Sequence, residues 1–142
     1  MTIKLTSEEM RYITLFEGIT GARVHDCVID ENDNSIIFVV KKGEMGAAIG
    51  GKGSKIRNAR RTIGKSIKVI EYSEDLTEFL KNIFAPAKVK SIDVVEQDGK
   101  KVAIITVEKQ EKGIAIGAKG KKIKNAKKLV NRYYGIHDIV IA

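Results

Sequence analysis

GAAIGGKGSKIRNARR, residues 46–61, returns 67 positions later as GIAIGAKGKKIKNAKK, residues 113–128. Over Glu44–Ala59 set against Glu111–Ala126, eleven of sixteen positions are identical. Composition alone does not produce such agreement, so the chain is read as two copies of one unit.

The residues around each copy repeat as well. In the first half, TSEEMRYITLFEG predicts a helix, with Thr6 and Glu9 forming a capping box and Gly18 or Gly21 as the stop. Met10, Ile13 and either Leu15 or Phe16 give that helix its apolar face. ARVHDCVID then alternates like a strand, with Val24, Asp26, Val28 and Asp30 on one side. ENDN at 31–34 reads as a turn, and SIIFVVKK as a buried β-branched strand. After the glycine segment come a basic helix to about Ile63 and a strand, SIKVIEY.

The second half keeps that order. EDLTEFLKNIFAP places Leu76, Phe79, Leu80 and Ile83 on one helical face, ending before Pro86. AKVKSIDVVEQ and KKVAIITVEK are strands joined at Asp98-Gly99, a strong hairpin signal. A second glycine segment, a basic helix to about Tyr133 and a strand, GIHDIVIA, complete it. Each half therefore reads α-β-β-α-α-β, an α+β domain with a three-stranded sheet covered by helices. The boundary is expected near Tyr72-Ser73, giving domains at 1–72 and 73–142.

Charge is segregated. The chain has a net charge of +8, yet residues 41–68 alone carry +8 and residues 100–132 carry +9, leaving the rest strongly acidic. A solvated lysine-rich surface has no need to sort its signs; a polyanion binder does.

Within each repeat, Ile49-Gly50-Gly51-Lys52-Gly53 and Ile116-Gly117-Ala118-Lys119-Gly120 join two predicted helices. The glycines remove side chains where the backbone turns and where another backbone would approach. The second glycine opens a helix whose free N–H groups suit a phosphate, and Lys52 and Lys119 stand inside the loops. The helices that follow carry Lys55, Arg57, Arg60 and Arg61, then Lys121, Lys122, Lys124, Lys127 and Lys128. Ile56, Ala59 and Ile63, and Ile123, Ala126 and Val130, recur at spacings of three and four and are expected to bury against the sheet.

The pattern Ile-Gly-x-x-Gly-x-x-Ile, at Ile49–Ile56 and Ile116–Ile123, resembles the KH module, and the element order is similar to its type II form. A tandem pair with almost no linker is similar to the archaeal NusA-like transcription factors, over essentially the whole chain. The resemblance implies that Gly50–Gly53 and Gly117–Gly120 clamp the backbone of single-stranded RNA, about four nucleotides per domain. Base edges would then lie in an apolar groove between helices and sheet. Ile49 and Ile116 would line it or fill core, while Ile56 and Ile123 are expected in the core. Acidic residues at the two middle loop positions spoil binding in this family; here they are Gly51-Lys52 and Ala118-Lys119. The implied role is binding nascent transcript to influence termination or antitermination, with RNA polymerase as a candidate second partner. A general or ribosome-associated RNA-binding role is the alternative.

Other classes fit less well. Aromatics make up 6% of the chain, with no Trp, too few for a base-stacking platform. Gly46, Gly51 and Lys52 approach a P-loop, but Gly53 stands where Ser or Thr would hold magnesium. A helix-turn-helix reading meets a first helix confined to about Met45–Ile49 and Lys112–Ile116, short for a brace. His25, Cys27 and His137 are too few for a zinc site, and Cys27 is expected as a buried small side chain. No catalytic constellation, metal site or cofactor motif is found, and neither a small-molecule substrate nor a membrane is expected. No apolar run reaches the roughly 20 residues of a membrane span. The N-terminal residues lack a signal-peptide layout and the single cysteine suits a reducing compartment, so a cytoplasmic location is expected.

Overall fold

The computed structural model describes residues 3–142, which part into two compact units between Ser73 and Glu74. In the first unit, α1 (Ser7–Thr20) is followed by β1 (Val24–Asp30), β2 (Ser35–Val40), α2 (Met45–Ile49), α3 (Ser54–Ile63) and β3 (Ser66–Glu71). The second unit runs α4 (Leu76–Phe84), β4 (Val89–Gln97), β5 (Lys100–Val107), α5 (Lys112–Ile116), α6 (Lys121–Tyr134) and β6 (Asp138–Ile141). Each is the α-β-β-α-α-β arrangement read from the sequence.

The capping box forms at α1. The Thr6 hydroxyl accepts from the Glu9 N–H at 3.1 Å, and the Glu9 carboxylate accepts from the Thr6 N–H at 2.8 Å. Gly21, at φ 77°, ends the helix. Asp75 caps α4 by accepting the Thr77 N–H at 3.1 Å. Two positive-φ residues, Asp98 and Gly99, make the tight hairpin between β4 and β5.

Each sheet has three strands, in the orders β1-β2-β3 and β4-β5-β6. The first pair is antiparallel, and the central strand pairs parallel with the last. Parallel neighbours cannot be joined by a tight turn and need a crossover. The helix pairs α2–α3 and α5–α6, with the glycine loop at each joint, are those crossovers. The topology thus holds each loop at the helical layer.

Burial follows the expected periods with three corrections, at Ile63 and Ile123, in α1 and in β1. Ile56, Ala59, Ala126 and Val130 are buried as predicted, while Ile63 and Ile123 are half-buried. All six residues of β2 are buried. In α1, however, Phe16 is buried and Ile13 half-buried, while Met10 and Leu15 are exposed at 50% and 41%. The inner stripe is instead Tyr12, Ile13, Phe16 and Ile19, packed against the core. At about 3.6 residues per turn these lie within about 60° of Phe16 around the helix axis, whereas Leu15 and Met10 fall about 100° and about 120° away. In β1 a bulge between Val24 and Asp26 shifts the register. It moves Val24 onto the core side with Cys27, away from Asp26 and Val28, so strict alternation misassigns it.

The first core is built on Phe16 and Phe38, whose rings stack with centroids 4.1 Å apart. Ile36, Val40, Ala48, Ile56, Ala59 and Ile67 pack around them. Cys27 is fully buried there. In the second unit Phe79 of α4 lies against Tyr133 of α6, with ring centroids 5.5 Å apart.

Candidate nucleic-acid interface

The two glycine loops have the same shape. Gly50 takes φ 76°, ψ 172° and Gly117 takes φ 82°, ψ 167°. The lysine at each apex is left-handed, with Lys52 at φ 55°, ψ 29° and Lys119 at φ 55°, ψ 27°. A 3.1 Å bond from the Gly53 N–H to the Gly50 carbonyl closes one turn, and a 3.1 Å bond from Gly120 to Gly117 closes the other. Gly53 and Gly120 then open α3 and α6, with no side chain capping the first-turn N–H groups.

The first glycine of each loop is fixed by crowding. A Cβ on Gly50 would lie 2.8 Å from the Lys55 Cβ and 2.9 Å from its backbone nitrogen; one on Gly117 would lie 2.7 Å and 2.8 Å from the same atoms of Lys122. Such approaches leave room for hydrogen only. Gly51 has open space around it, which explains how Ala118 fills the equivalent position.

Around this frame the expected cations divide by partner. Lys52 and Lys119 at the apices are exposed, as are Lys55 and Lys124 on the helices. Four others are engaged within the chain. Arg57 donates from Nη1 to the Lys52 carbonyl. Arg60 donates to the Ile67 carbonyl at 3.1 Å. Lys122 donates to the Ala85 carbonyl at 3.2 Å, and burial pushes its ammonium below its usual pKa. Lys127 pairs with Asp138 at 3.0 Å; that bond, with one from the Ile139 N–H, holds the Asp138 carboxyl below the usual range. Lys121 is half-buried.

Apolar groups flank the loops. Ile49 is half-buried, whereas Ile116 is 39% exposed. Ile114, unassigned from sequence, is 45% exposed two residues before it. The signal was in the repeat: Ala47 stands in the equivalent place, so the fold does not demand a large apolar residue there.

The geometry also decides against a P-loop wrap. Gly46 lies inside α2, and the Ala48 and Gly50 N–H groups bond to the Glu44 and Gly46 carbonyls at 3.0 and 2.9 Å. Those donors are spent on the helix and cannot cradle a phosphate chain. Both helices ahead of the loops are five residues long. Among the described residues no group of three or more His, Cys, Asp or Glu could hold a metal ion, and no helix is long and apolar enough to cross a membrane.

Two three-stranded sheets, each with a helix–Gly-x-x-Gly–helix crossover, define a tandem KH-domain protein. Residues 10–74 match the KH domain family, and residues 76–140 match the NusA-like second KH domain. The chain is 43% identical over 141 residues to a protein of Methanococcus vannielii named probable transcription termination protein NusA, covering 99% of this chain and 80% of that one. A protein of the same name from Halobacterium salinarum is 40% identical over 139 residues, covering 98% of each. The crystal structure of APE1850 superposes with a TM-score of 0.87 at 43% identity, covering 97% of this chain and all of that one. The chain belongs to the archaeal NusA-like family of tandem KH proteins.

Proposed function

We propose that the chain binds single-stranded RNA through both Gly-x-x-Gly loops and acts as a transcription termination factor on nascent transcript. The observation that carries this reading is the duplicated loop itself: two turns of the same dihedral angles, each with an exposed lysine at its apex. Each apex precedes a helix N-terminus that no side chain caps, and each following helix is basic, an arrangement suited to a phosphodiester. Two such clamps on one chain would raise affinity through effective concentration. The name carried by the relatives supplies the process, and RNA polymerase is the second partner this reading assigns. On this reading the chain works by binding and not by catalysis.

The test is fluorescence anisotropy with a labelled single-stranded RNA, compared with duplex DNA of equal length across a salt series. A variant carrying Gly51→Asp, Lys52→Asp, Ala118→Asp and Lys119→Asp is measured alongside. Preference for the single strand, lost in a variant that stays folded, is the expected result. Equal duplex binding, or no loss in the variant, would sink the reading. Retention of purified polymerase on the immobilised protein tests the second partner separately.

A further inference from the structure

The two loops share a shape but not a support. In the first unit the Arg57 guanidinium reaches back over Gly53 and donates to the Lys52 carbonyl. The passage is narrow, since a Cβ on Gly53 would lie 3.1 Å from Nη1. In the second unit the corresponding residue is Lys124, exposed and without this bond. A Cβ on Gly120 would meet nothing within 4 Å, so the space that Arg57 fills beside the first loop is empty beside the second. The second helix is tied elsewhere, through Lys122 to the Ala85 carbonyl, away from the loop's own peptides. Its counterpart Lys55 is exposed.

We propose that Arg57 is a positioning residue that holds the first loop ready for phosphate, and that the second loop, lacking this brace, is the weaker clamp. The proposal rests on the reading of the loops as RNA clamps. Lys52 is left-handed, a conformation that L-residues other than glycine adopt at a cost. Without a partner for its carbonyl, the Lys52–Gly53 peptide is held against turning over only by the 3.1 Å bond from the Gly53 N–H to the Gly50 carbonyl. The outward carbonyl would then face the incoming phosphate oxygens, like against like. A guanidinium bound to that carbonyl fixes the peptide and offsets its partial negative charge. Ordering the loop before RNA arrives removes that cost from binding. A planar fork loses less entropy per bond than a lysine ammonium, so lysine at this position does not replace it.

The substitution Arg57→Lys keeps the charge and removes the fork. It is made in a background where Ala118→Asp and Lys119→Asp silence the second loop, and affinity for a labelled single-stranded RNA is read against salt. The expected result is roughly 3- to 10-fold weaker binding, the net scale of one ordinary hydrogen bond at an exposed site, with an unchanged salt slope. The reciprocal change, Lys124→Arg with the first loop silenced by Gly51→Asp and Lys52→Asp, should tighten binding at the same slope. Both sites are exposed, and an unchanged melting temperature separates positioning from general stability. Full affinity in Arg57→Lys would make Arg57 a simple phosphate cation and overturn the inference alone, as would a Lys124→Arg variant that gains nothing. Binding that survives silencing of both loops would overturn the clamp reading, and this inference with it.

Discussion

Gly50 and Lys55 approach so closely that a Cβ on the glycine would stand 2.9 Å from the lysine backbone nitrogen. The glycine also sits at φ 76°, ψ 172°, a region that other residues do not occupy. Gly50→Ala therefore meets strain and backbone contact together, and about 2 kcal/mol of stability should be lost. Gly117→Ala should behave alike, since Lys122 crowds it in the same way. Gly51→Ala, in open space, should change stability by less than about 0.5 kcal/mol. Urea midpoints for the three variants check this, and a tolerated Gly50→Ala would show that the loop has another shape.

Lys119 and Lys127 carry the same charge but should not contribute alike. Lys119 is exposed at the loop apex, whereas Lys127 is held 3.0 Å from Asp138. Lys119→Gln should weaken RNA binding and lower the salt slope by about 0.7, the value for one phosphate contact on a single strand. Lys127→Gln should weaken it less. Because the Lys127 and Asp138 side chains are 44% and 51% exposed, that change should also cost under about 0.5 kcal/mol of stability. Equal losses of affinity would mean that the Asp138 pair opens for RNA.

What could be read from the chain was whatever depends on nearby neighbours. The repeat fixes the register of both loops, Thr6 and Glu9 set a helix start three residues apart, and Asp98-Gly99 sets a hairpin. Misreadings arose where a distant partner decides. The bulge after Val24 follows from pairing with β2 and leaves no mark in the local alternation. Arg57 looks like one more surface cation until the space over Gly53 is known. Asp138 gives no sign of engaging Lys127, because the chain turns at Gly135 between them. The candidate site was thus legible as a set of backbone positions, but not in how its cations are shared between fold and surface.

The capping box offers a check on local energetics far from the loops. Thr6 and Glu9 each satisfy an N–H that α1 leaves open. Thr6→Ala should cost about 1 kcal/mol. Glu9→Ala removes the reciprocal bond, and the double variant should cost less than the sum, because the two bonds orient one another. Chemical denaturation of the four species measures the coupling, and strict additivity would refute a cooperative box.

His25 gives the first unit a pH dependence whose sign is fixed by its surroundings. Its ring stacks on Tyr72, with centroids 3.9 Å apart and planes inclined by 22°. Burial lowers its pKa from 6.5, Lys41 adds to the shift, and Asp26 opposes it. Between the lowered folded value and 6.5 the unfolded chain holds more protons, so stability rises with pH across that window. Above 6.5 the penalty is absent, and below the folded pKa it is complete. Carboxylates titrate lower and contribute to any acid scan, so the informative quantity is a difference. His25→Phe retains a ring against Tyr72 and removes the titration. Between about pH 7.5 and about pH 5, wild type should lose more melting temperature than this variant. Parallel losses would show that the His25 imidazole takes up its proton without cost, and that the stacked site is open enough to solvate the cation.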